Sequence, residues 1–129
     1  MKKWIVLVLA VMLLTACGQD TEKDQGAVYV NITAEEAKQI MDSEEGYVIL
    51  DVRTQEEYDQ GHIPGAMLIP DYEISTKAED LLTDKEQLIL VYCRSGRRSK
   101  IAAEALVELD YTNIREFGGI IDWPYEVEK

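Results

Sequence analysis

Two runs of apolar residues dominate the hydrophobic pattern of the chain. Leu88 to Tyr92 and Tyr47 to Val52 are almost continuously apolar and partly β-branched, as expected of strands that are buried on both faces of a parallel sheet. Shorter strands are predicted at residues 28–31, 66–69 and 114–117. The pattern therefore predicts a sheet built around two fully buried strands.

Helical patterns separate these strands. Thr33 with Glu36, and Thr54 with Glu57, each form the capping-box pattern that begins a helix. The second of these helices is predicted to end at Gly61, in the position that favours glycine after a helix. A further helix is predicted within residues 70–82.

The longest predicted helix follows the central apolar run, beginning at about Ser99, which is a good N-cap candidate. Its apolar positions recur at helical spacing, at Ile101, Ala102, Ala105, Leu106 and Leu109. Strands that alternate with helices of this length imply a single α/β domain. The predicted sheet is mainly parallel and flanked by helices on both faces.

The amino terminus has a different pattern. A positive start with Lys2 and Lys3 is followed by an apolar stretch over residues 4–14 and by Leu-Thr-Ala-Cys ending at Cys17. This stretch is similar to the lipobox of bacterial lipoproteins. The resemblance implies that residues 1–16 are a signal peptide and that Cys17 carries the lipid, palmitate included. An uncleaved anchor is the alternative, but eleven apolar residues are few for a hydrocarbon core of about 30 Å.

The lipobox resemblance also implies where the protein is located. It places the domain outside the cytoplasm, anchored to the bacterial cell membrane by lipid. Residues 17–27 are then the lipidated cysteine and a polar, flexible tether, and residues 28–129 form the folded domain.

The charge of the chain narrows the choice of partners. The chain has 13 basic and 25 acidic residues, and loss of Lys2 and Lys3 with the signal peptide would leave 11 basic residues and a net charge of -14. Such a balance argues against nucleic acid binding and against an electrostatic hold on anionic lipid. Three of the five arginines nevertheless lie together within residues 93–98. A small anionic ligand suits this cationic spot.

The segment CRSGRR, residues 93–98, places Cys93 between the central strand and the long helix. Backbone N–H groups of such a loop and the helix dipole favour an anion. Together with three arginines they favour the thiolate, which is the nucleophilic form of cysteine. A buried structural cysteine is the alternative, but three arginines within five residues are hard to reconcile with an apolar environment.

The loop CRSGRRS resembles the active-site loop of the rhodanese family, sulfurtransferases that carry sulfur as a cysteine persulfide. Three further pieces match in order: Asp-Val-Arg at 51–53, EYDQGHIPGA at 57–66, and Gly-Gly at 118–119 followed by Trp123. The resemblance covers roughly residues 28–123. It implies a single rhodanese-like α/β domain.

The resemblance implies a mechanism and a set of site residues. Cys93 would be the nucleophile, taking sulfane sulfur from thiosulfate or a similar anionic donor and passing it to a thiol or cyanide. The loop residues would bind the substrate: Arg94, Ser95, Gly96, Arg97, Arg98 and Ser99. Four residues are expected to support the site structurally: Asp51, Arg53, Glu57 and His62. Ser95 stands where many two-domain thiosulfate enzymes have Lys.

Other functions remain open at this point. Cysteine phosphatases and arsenate reductases use a loop of Cys, five residues and Arg, which is one residue longer than the segment from Cys93 to Arg98. A persulfide relay without turnover, or a binding module, is the non-catalytic alternative. With Cys17 lipidated, Cys93 has no partner for a disulfide or a redox cycle within the chain. One histidine, His62, is too little for a metal site, so no metal is expected. No cofactor is expected either, and the domain is expected to be a monomer.

Overall fold

A five-stranded sheet forms the centre of the domain in the computed structural model, which describes residues 28–129. The expected signal peptide, Cys17 and the tether lie outside the described residues. The strands are β1 (Val30–Asn31), β2 (Val48–Asp51), β3 (Met67–Leu68), β4 (Ile89–Cys93) and β5 (Ile114–Gly119). The helices are α1 (Ala34–Ser43), α2 (Gln55–Asp59), α3 (Ile74–Leu81) and α4 (Arg97–Glu108).

The strand order is β1-β5-β4-β2-β3, and every neighbouring pair is parallel. The predicted α/β domain with a parallel sheet is therefore confirmed. Within residues 28–129, no helix has the length and hydropathy needed to cross a membrane.

Two apolar clusters cover the two faces of the sheet, and β4 contributes to both. Its residues Ile89, Val91 and Cys93 belong to the cluster with α3 and α4, while Leu90 and Tyr92 belong to the cluster with α1 and Trp123. All five residues of β4 are buried. This alternation confirms that the central apolar run is a strand buried on both faces.

Both predicted capping boxes are present. Thr33 accepts a hydrogen bond from the backbone N–H of Glu36, and the Glu36 carboxylate accepts one from the Thr33 backbone in return. Thr54 and Glu57 make the same reciprocal pair at the start of α2. Gly61 follows the last turn of α2 with φ of +148°, a conformation that L side chains rarely adopt.

The start of α4 differs from the prediction. The helix begins at Arg97, and Gly96 stands at the N-cap with φ of +108°. Ser99 was predicted as the N-cap but is the third helical residue, because left-handed backbone at Gly96 lets the helix start directly after the loop. Ile101, expected on the buried face, is 45% exposed, and Ala103 is buried instead.

Other element limits also differ by a few residues. The first strand is shorter than predicted and covers only Val30–Asn31, whereas β5 extends through Gly119. The helix expected within residues 70–82 is Ile74–Leu81, preceded by a 3-10 turn at Asp71–Glu73. These differences leave the order of elements unchanged.

Candidate active site at the carboxyl ends of the central strands

The carboxyl ends of β2 and β4 lie side by side, at the point where the strand order of the sheet reverses. From β2 the chain continues outward to β3, whereas from β4 it continues to β5 on the other side. Their connections pass over opposite faces, since α2 packs with one apolar cluster and α4 with the other. Such a switch point opens a crevice in parallel α/β sheets. Asp51 and Cys93 are the last residues of these two strands.

Cys93 lies at the base of the loop, with its residue 1% exposed. The backbone N–H of Gly96 donates a hydrogen bond to its sulfur, with a nitrogen–sulfur distance of 3.0 Å. The sulfur also faces the amino terminus of the twelve-residue helix α4, whose dipole favours negative charge. A thiolate at Cys93 is therefore stabilised by the backbone itself.

The end of β5 closes the loop from the other side. A Cβ on Gly119 would collide with the carbonyl group of Arg94, so only glycine permits this approach. The Arg94 carbonyl accepts a hydrogen bond of 3.2 Å from the N–H of Ile121. Gly119 thus allows the chain after β5 to hold the loop in place.

Three loop side chains predicted to bind substrate are exposed: Arg94, Ser95 and Arg97. Within residues 28–129, neither Arg94 nor Arg97 forms an ion pair with a carboxylate. Arg94 lines an open cavity of about 310 Å³ together with Arg53, Ile120 and Val127, among others. These two guanidinium groups are free to meet an anion that approaches the loop.

Arg98, another loop residue that the sequence predicts to bind substrate, is paired with a carboxylate. Its guanidinium makes two hydrogen bonds to the Glu57 carboxylate, at 2.8 and 2.9 Å, which tie α4 to α2. The hydrogen bonds from Arg98 are the main cause that lowers the pKa of Glu57 to about 2. Arg98 therefore holds α4 to α2 through Glu57, while its part in substrate binding stays a prediction.

Asp51 and Arg53 form a buried ion pair, with the shortest oxygen–nitrogen distance at 2.7 Å. The hydroxyl of Tyr92 donates a 2.6 Å hydrogen bond to Asp51, and Arg53 also donates to the carbonyl of Gly61. Burial raises the pKa of Tyr92, and the charge of Asp51 raises it further, so this phenol stays protonated. Asp51 and Arg53 thus join β2 to β4 and to the loop after α2.

His62 lies in the turn after α2. Its ring stacks on Tyr58 with a centroid distance of 3.7 Å, and Nδ1 is 2.9 Å from the Tyr58 carbonyl oxygen. Nε2 is 3.4 Å from a carboxylate oxygen of Glu128, near the carboxyl terminus. These contacts fix the turn and connect it to the end of the chain.

Glu116 is a site residue that the sequence interpretation missed. It is 1% exposed, and its carboxylate accepts a hydrogen bond from the hydroxyl of Ser99. Ser99 Oγ in turn lies 3.4 Å from the sulfur of Cys93. An acidic residue two positions before Gly118, within a predicted strand, is the sequence signal that could have found it.

The arrangement suits nucleophilic chemistry by a thiolate on an anionic substrate. It combines a backbone donor at the sulfur with two arginines that have no carboxylate partner in the described part of the chain. In that same part, no group of three His, Cys, Asp or Glu side chains is placed to hold a metal ion.

Comparison with known proteins identifies the fold family. The sequence model of the rhodanese-like domain family matches residues 33–124. The chain belongs to the rhodanese-like domain family. Solved structures agree, since this rhodanese-like chain aligns with a rhodanese with anions from E. coli at a TM-score of 0.61 and 36% identity, over 64% of this chain and 98% of that one. A rhodanese-like domain of an Anabaena protein aligns at a TM-score of 0.71 and 28% identity, over 76% and 77%.

Relatives in sequence include named sulfurtransferases. The chain is 40% identical over 73 residues to the thiosulfate sulfurtransferase PspE of Escherichia coli, covering 57% of this chain and 70% of PspE. It is 33% identical over 93 residues to a sulfurtransferase of Allochromatium vinosum, covering 71% of this chain and 85% of that protein. It spans 60% of the length of YrkF of Bacillus subtilis, at 36% identity over 112 residues that cover 86% of this chain. These relatives support sulfur transfer as the general chemistry.

Proposed function

We propose that the protein is a sulfurtransferase that carries sulfane sulfur on Cys93, from thiosulfate or a similar anionic donor to a thiol or cyanide. The observation that carries the proposal is the position of the sulfur. The sulfur accepts a hydrogen bond from the Gly96 N–H at the start of α4. The loop around it carries Arg94 and Arg97, which have no carboxylate partner in the described residues. Acceptor and donor anions would both be attracted to this loop.

The first half of the reaction loads the enzyme. The Cys93 thiolate attacks the outer sulfur of thiosulfate, a sulfur–sulfur bond forms to Sγ, and the bond to the sulfite group breaks with its electron pair leaving as sulfite. The product is a persulfide anion on Cys93, so the total charge is unchanged. Arg94 and Arg97 would hold the sulfite oxygens as the bond breaks.

The second half unloads the enzyme. A thiolate acceptor or cyanide attacks the terminal sulfur of the persulfide, forms a new bond to it, and the Cys93 thiolate departs with the electron pair of the broken bond. The burial of Cys93 restricts this step to acceptors whose nucleophilic atom can reach into the loop. Donor and acceptor therefore use the same opening in turn, which gives ping-pong kinetics.

Steady-state assays test the proposal directly. With thiosulfate and cyanide as substrates, we expect thiocyanate to form and initial-rate plots to give the parallel lines of a ping-pong reaction. p-Nitrophenyl phosphate and arsenate serve as substrates in control assays for the phosphatase and arsenate reductase alternatives. Hydrolysis of the phosphate ester or reduction of arsenate, without thiocyanate formation, would contradict sulfur transfer.

We also propose that the protein acts outside the cytoplasm, held to the membrane by lipid on Cys17. The support for this proposal is the sequence of residues 1–17, with its short apolar stretch and its cysteine after small residues. The variant Cys17→Ala is expected to lose incorporation of labelled palmitate and to leave the membrane fraction. Retention of label in that variant would contradict the assignment of Cys17 as the lipidated residue.

A further inference from the structure

A buried carboxylate lies directly beneath the Cys93 loop. Glu116 Oε1 accepts a 2.6 Å hydrogen bond from the Asn31 amide and lies 3.6 Å from the Lys100 ammonium. Oε2 accepts hydrogen bonds from the Gly118 N–H, at 2.9 Å, and from the Ser99 hydroxyl. Three hydrogen-bond donors and the Lys100 ammonium therefore surround a carboxylate that is enclosed in the protein.

Glu116 also decides where the single hydrogen of the Ser99 hydroxyl points. Among the acceptors around Ser99 Oγ, the carboxylate is the charged one and makes the tightest contact, while the carbonyls of Gly96 and Gly118 lie at 3.1 and 3.4 Å. Ser99 therefore turns an oxygen lone pair toward Cys93. A thiol can donate its hydrogen to that oxygen across 3.4 Å, but a thiolate receives no donor from Ser99.

Negative charge on Cys93 Sγ is thus opposed from one side and favoured from the other. On the side of β5, the anion of Glu116 lies only one hydroxyl group away from the sulfur. On the loop side, the Gly96 N–H donates to the sulfur. One cation lies nearby as well, since the pKa of Arg98, raised mainly by its hydrogen bonds to Glu57, is raised further by the charge of Cys93. Lys100 faces Glu116 and partly offsets the charge of that carboxylate.

We propose that Glu116 is a positioning residue that biases Cys93 toward its persulfide and away from its free thiolate. This inference rests on the proposed sulfur transfer. When Sγ takes the outer sulfur of a donor and sulfite leaves with the electron pair, the negative charge moves from Sγ to the added sulfur, about 2 Å away along the new bond. Ser99 and β5 occupy one side of Sγ, so the added sulfur lies on the loop side. The charge then lies farther from Glu116 and nearer the arginines of the loop.

Two measurements on Glu116→Gln separate this role from a structural one. Without any sulfur donor, alkylation of Cys93 by the neutral reagent iodoacetamide at pH 7 should be about fivefold faster than in the wild type, because the opposing charge is gone. At a fixed ratio of thiosulfate to sulfite, the ratio of persulfidated to free enzyme, read by intact mass, should fall about fivefold. The matched control Glu104→Gln, an exposed acid on α4, should change neither.

Opposite changes in the two measurements would support the proposal. If alkylation and loading both fall, Glu116 only maintains the shape of the loop, and if neither changes, its charge does not reach the sulfur; either result overturns the proposal. If the wild type itself never gains sulfur, the proposed sulfur transfer fails and the loading preference fails with it. The alkylation rates would still decide whether Glu116 restrains the thiolate.

A second variant guards against loss of folding in Glu116→Gln. The ammonium of Lys100 is about half exposed and partly offsets the charge of Glu116. Lys100→Gln, which leaves Glu116 in place, should therefore slow alkylation about twofold, because the charge of Glu116 is no longer offset. An unchanged alkylation rate in this variant would contradict an effect of the Glu116 charge on the sulfur.

Discussion

The ends of β2 and β4 lie side by side in the sheet but use their polar groups in opposite ways. At β2, the carboxylate of Asp51 is fully occupied by Arg53 and by the hydroxyl of Tyr92. At β4, Cys93 lies below Arg94, which has no carboxylate partner among residues 28–129. Both ends carry charged side chains, but only at the end of β4 does a charged side chain, Arg94, lack a partner of opposite charge within residues 28–129. Ion pairing therefore distinguishes the structural end of β2 from the reactive end of β4.

The largest effect is expected at the reacting end. Cys93→Ser removes the sulfur on which the persulfide forms, so thiocyanate formation should fall to the background rate. The substitution only exchanges sulfur for oxygen in a buried position. The variant should therefore remain folded, with a small change in the free energy of unfolding, while its activity is lost. Full activity in this variant would contradict the role of Cys93.

At the framing end, stability should change more than chemistry. Asp51→Ala would leave the guanidinium of Arg53 buried without its partner, which costs about 3–5 kcal/mol of unfolding free energy. Urea denaturation measures this loss, with the exposed Asp80→Ala as the control, for which a change within about 0.5 kcal/mol is expected. A cost below about 1 kcal/mol for Asp51→Ala would mean that the pair is not part of the frame.

A smaller effect on donor binding is expected at Arg94. Arg94→Ala should raise the KM for thiosulfate about tenfold, because one charge-assisted contact to the anion is lost, while stability stays unchanged. Arg115→Ala, an arginine of β5 outside the loop, is the matched control and should leave the KM unchanged. An unchanged KM in Arg94→Ala would remove this side chain from the anion site.

The smallest effect concerns pH and the pair of Glu57 with Arg98. The pKa of Glu57 falls from its ordinary 4.5 to about 2 in the folded protein, so the folded state binds fewer protons than the unfolded chain between these values. The stabilisation is fully present above about pH 4.5 and is lost as the pH falls toward 2. Glu57→Gln keeps the capping box, so it should cost about 1 kcal/mol at pH 7. A cost of the same size at pH 2 would contradict this assignment.

Most of the fold followed from local patterns in the sequence. The apolar run 88–92 and the capping boxes at Thr33 and Thr54 record interactions between neighbours along the chain, and each was found where it was predicted. The start of α4 was predicted two residues late, because a serine was taken as the cap while the conformation of Gly96 decided it. Serine at 99 is instead explained by a contact across the sheet.

The site was less predictable, because its roles depend on partners that are distant in the sequence. Arg98 resembles its neighbours Arg94 and Arg97 in the sequence, and only the proximity of Glu57, 41 residues away, distinguishes it. Glu116 is 17 residues from Ser99, and its position in a β-strand gave no local reason to connect it with Cys93. The clustering of arginines in the sequence predicted the cationic loop. Only the tertiary contacts show which of these arginines is paired with a carboxylate.

The most direct test of sulfur carriage is the intact mass of the purified protein, measured before thiosulfate, after it, and again after cyanide. We predict a gain of about 32 Da, one sulfur atom, that thiosulfate produces and cyanide reverses, and no gain in Cys93→Ser. A wild-type protein whose mass stays constant while iodoacetamide still alkylates Cys93 would contradict sulfur carriage from thiosulfate at this site.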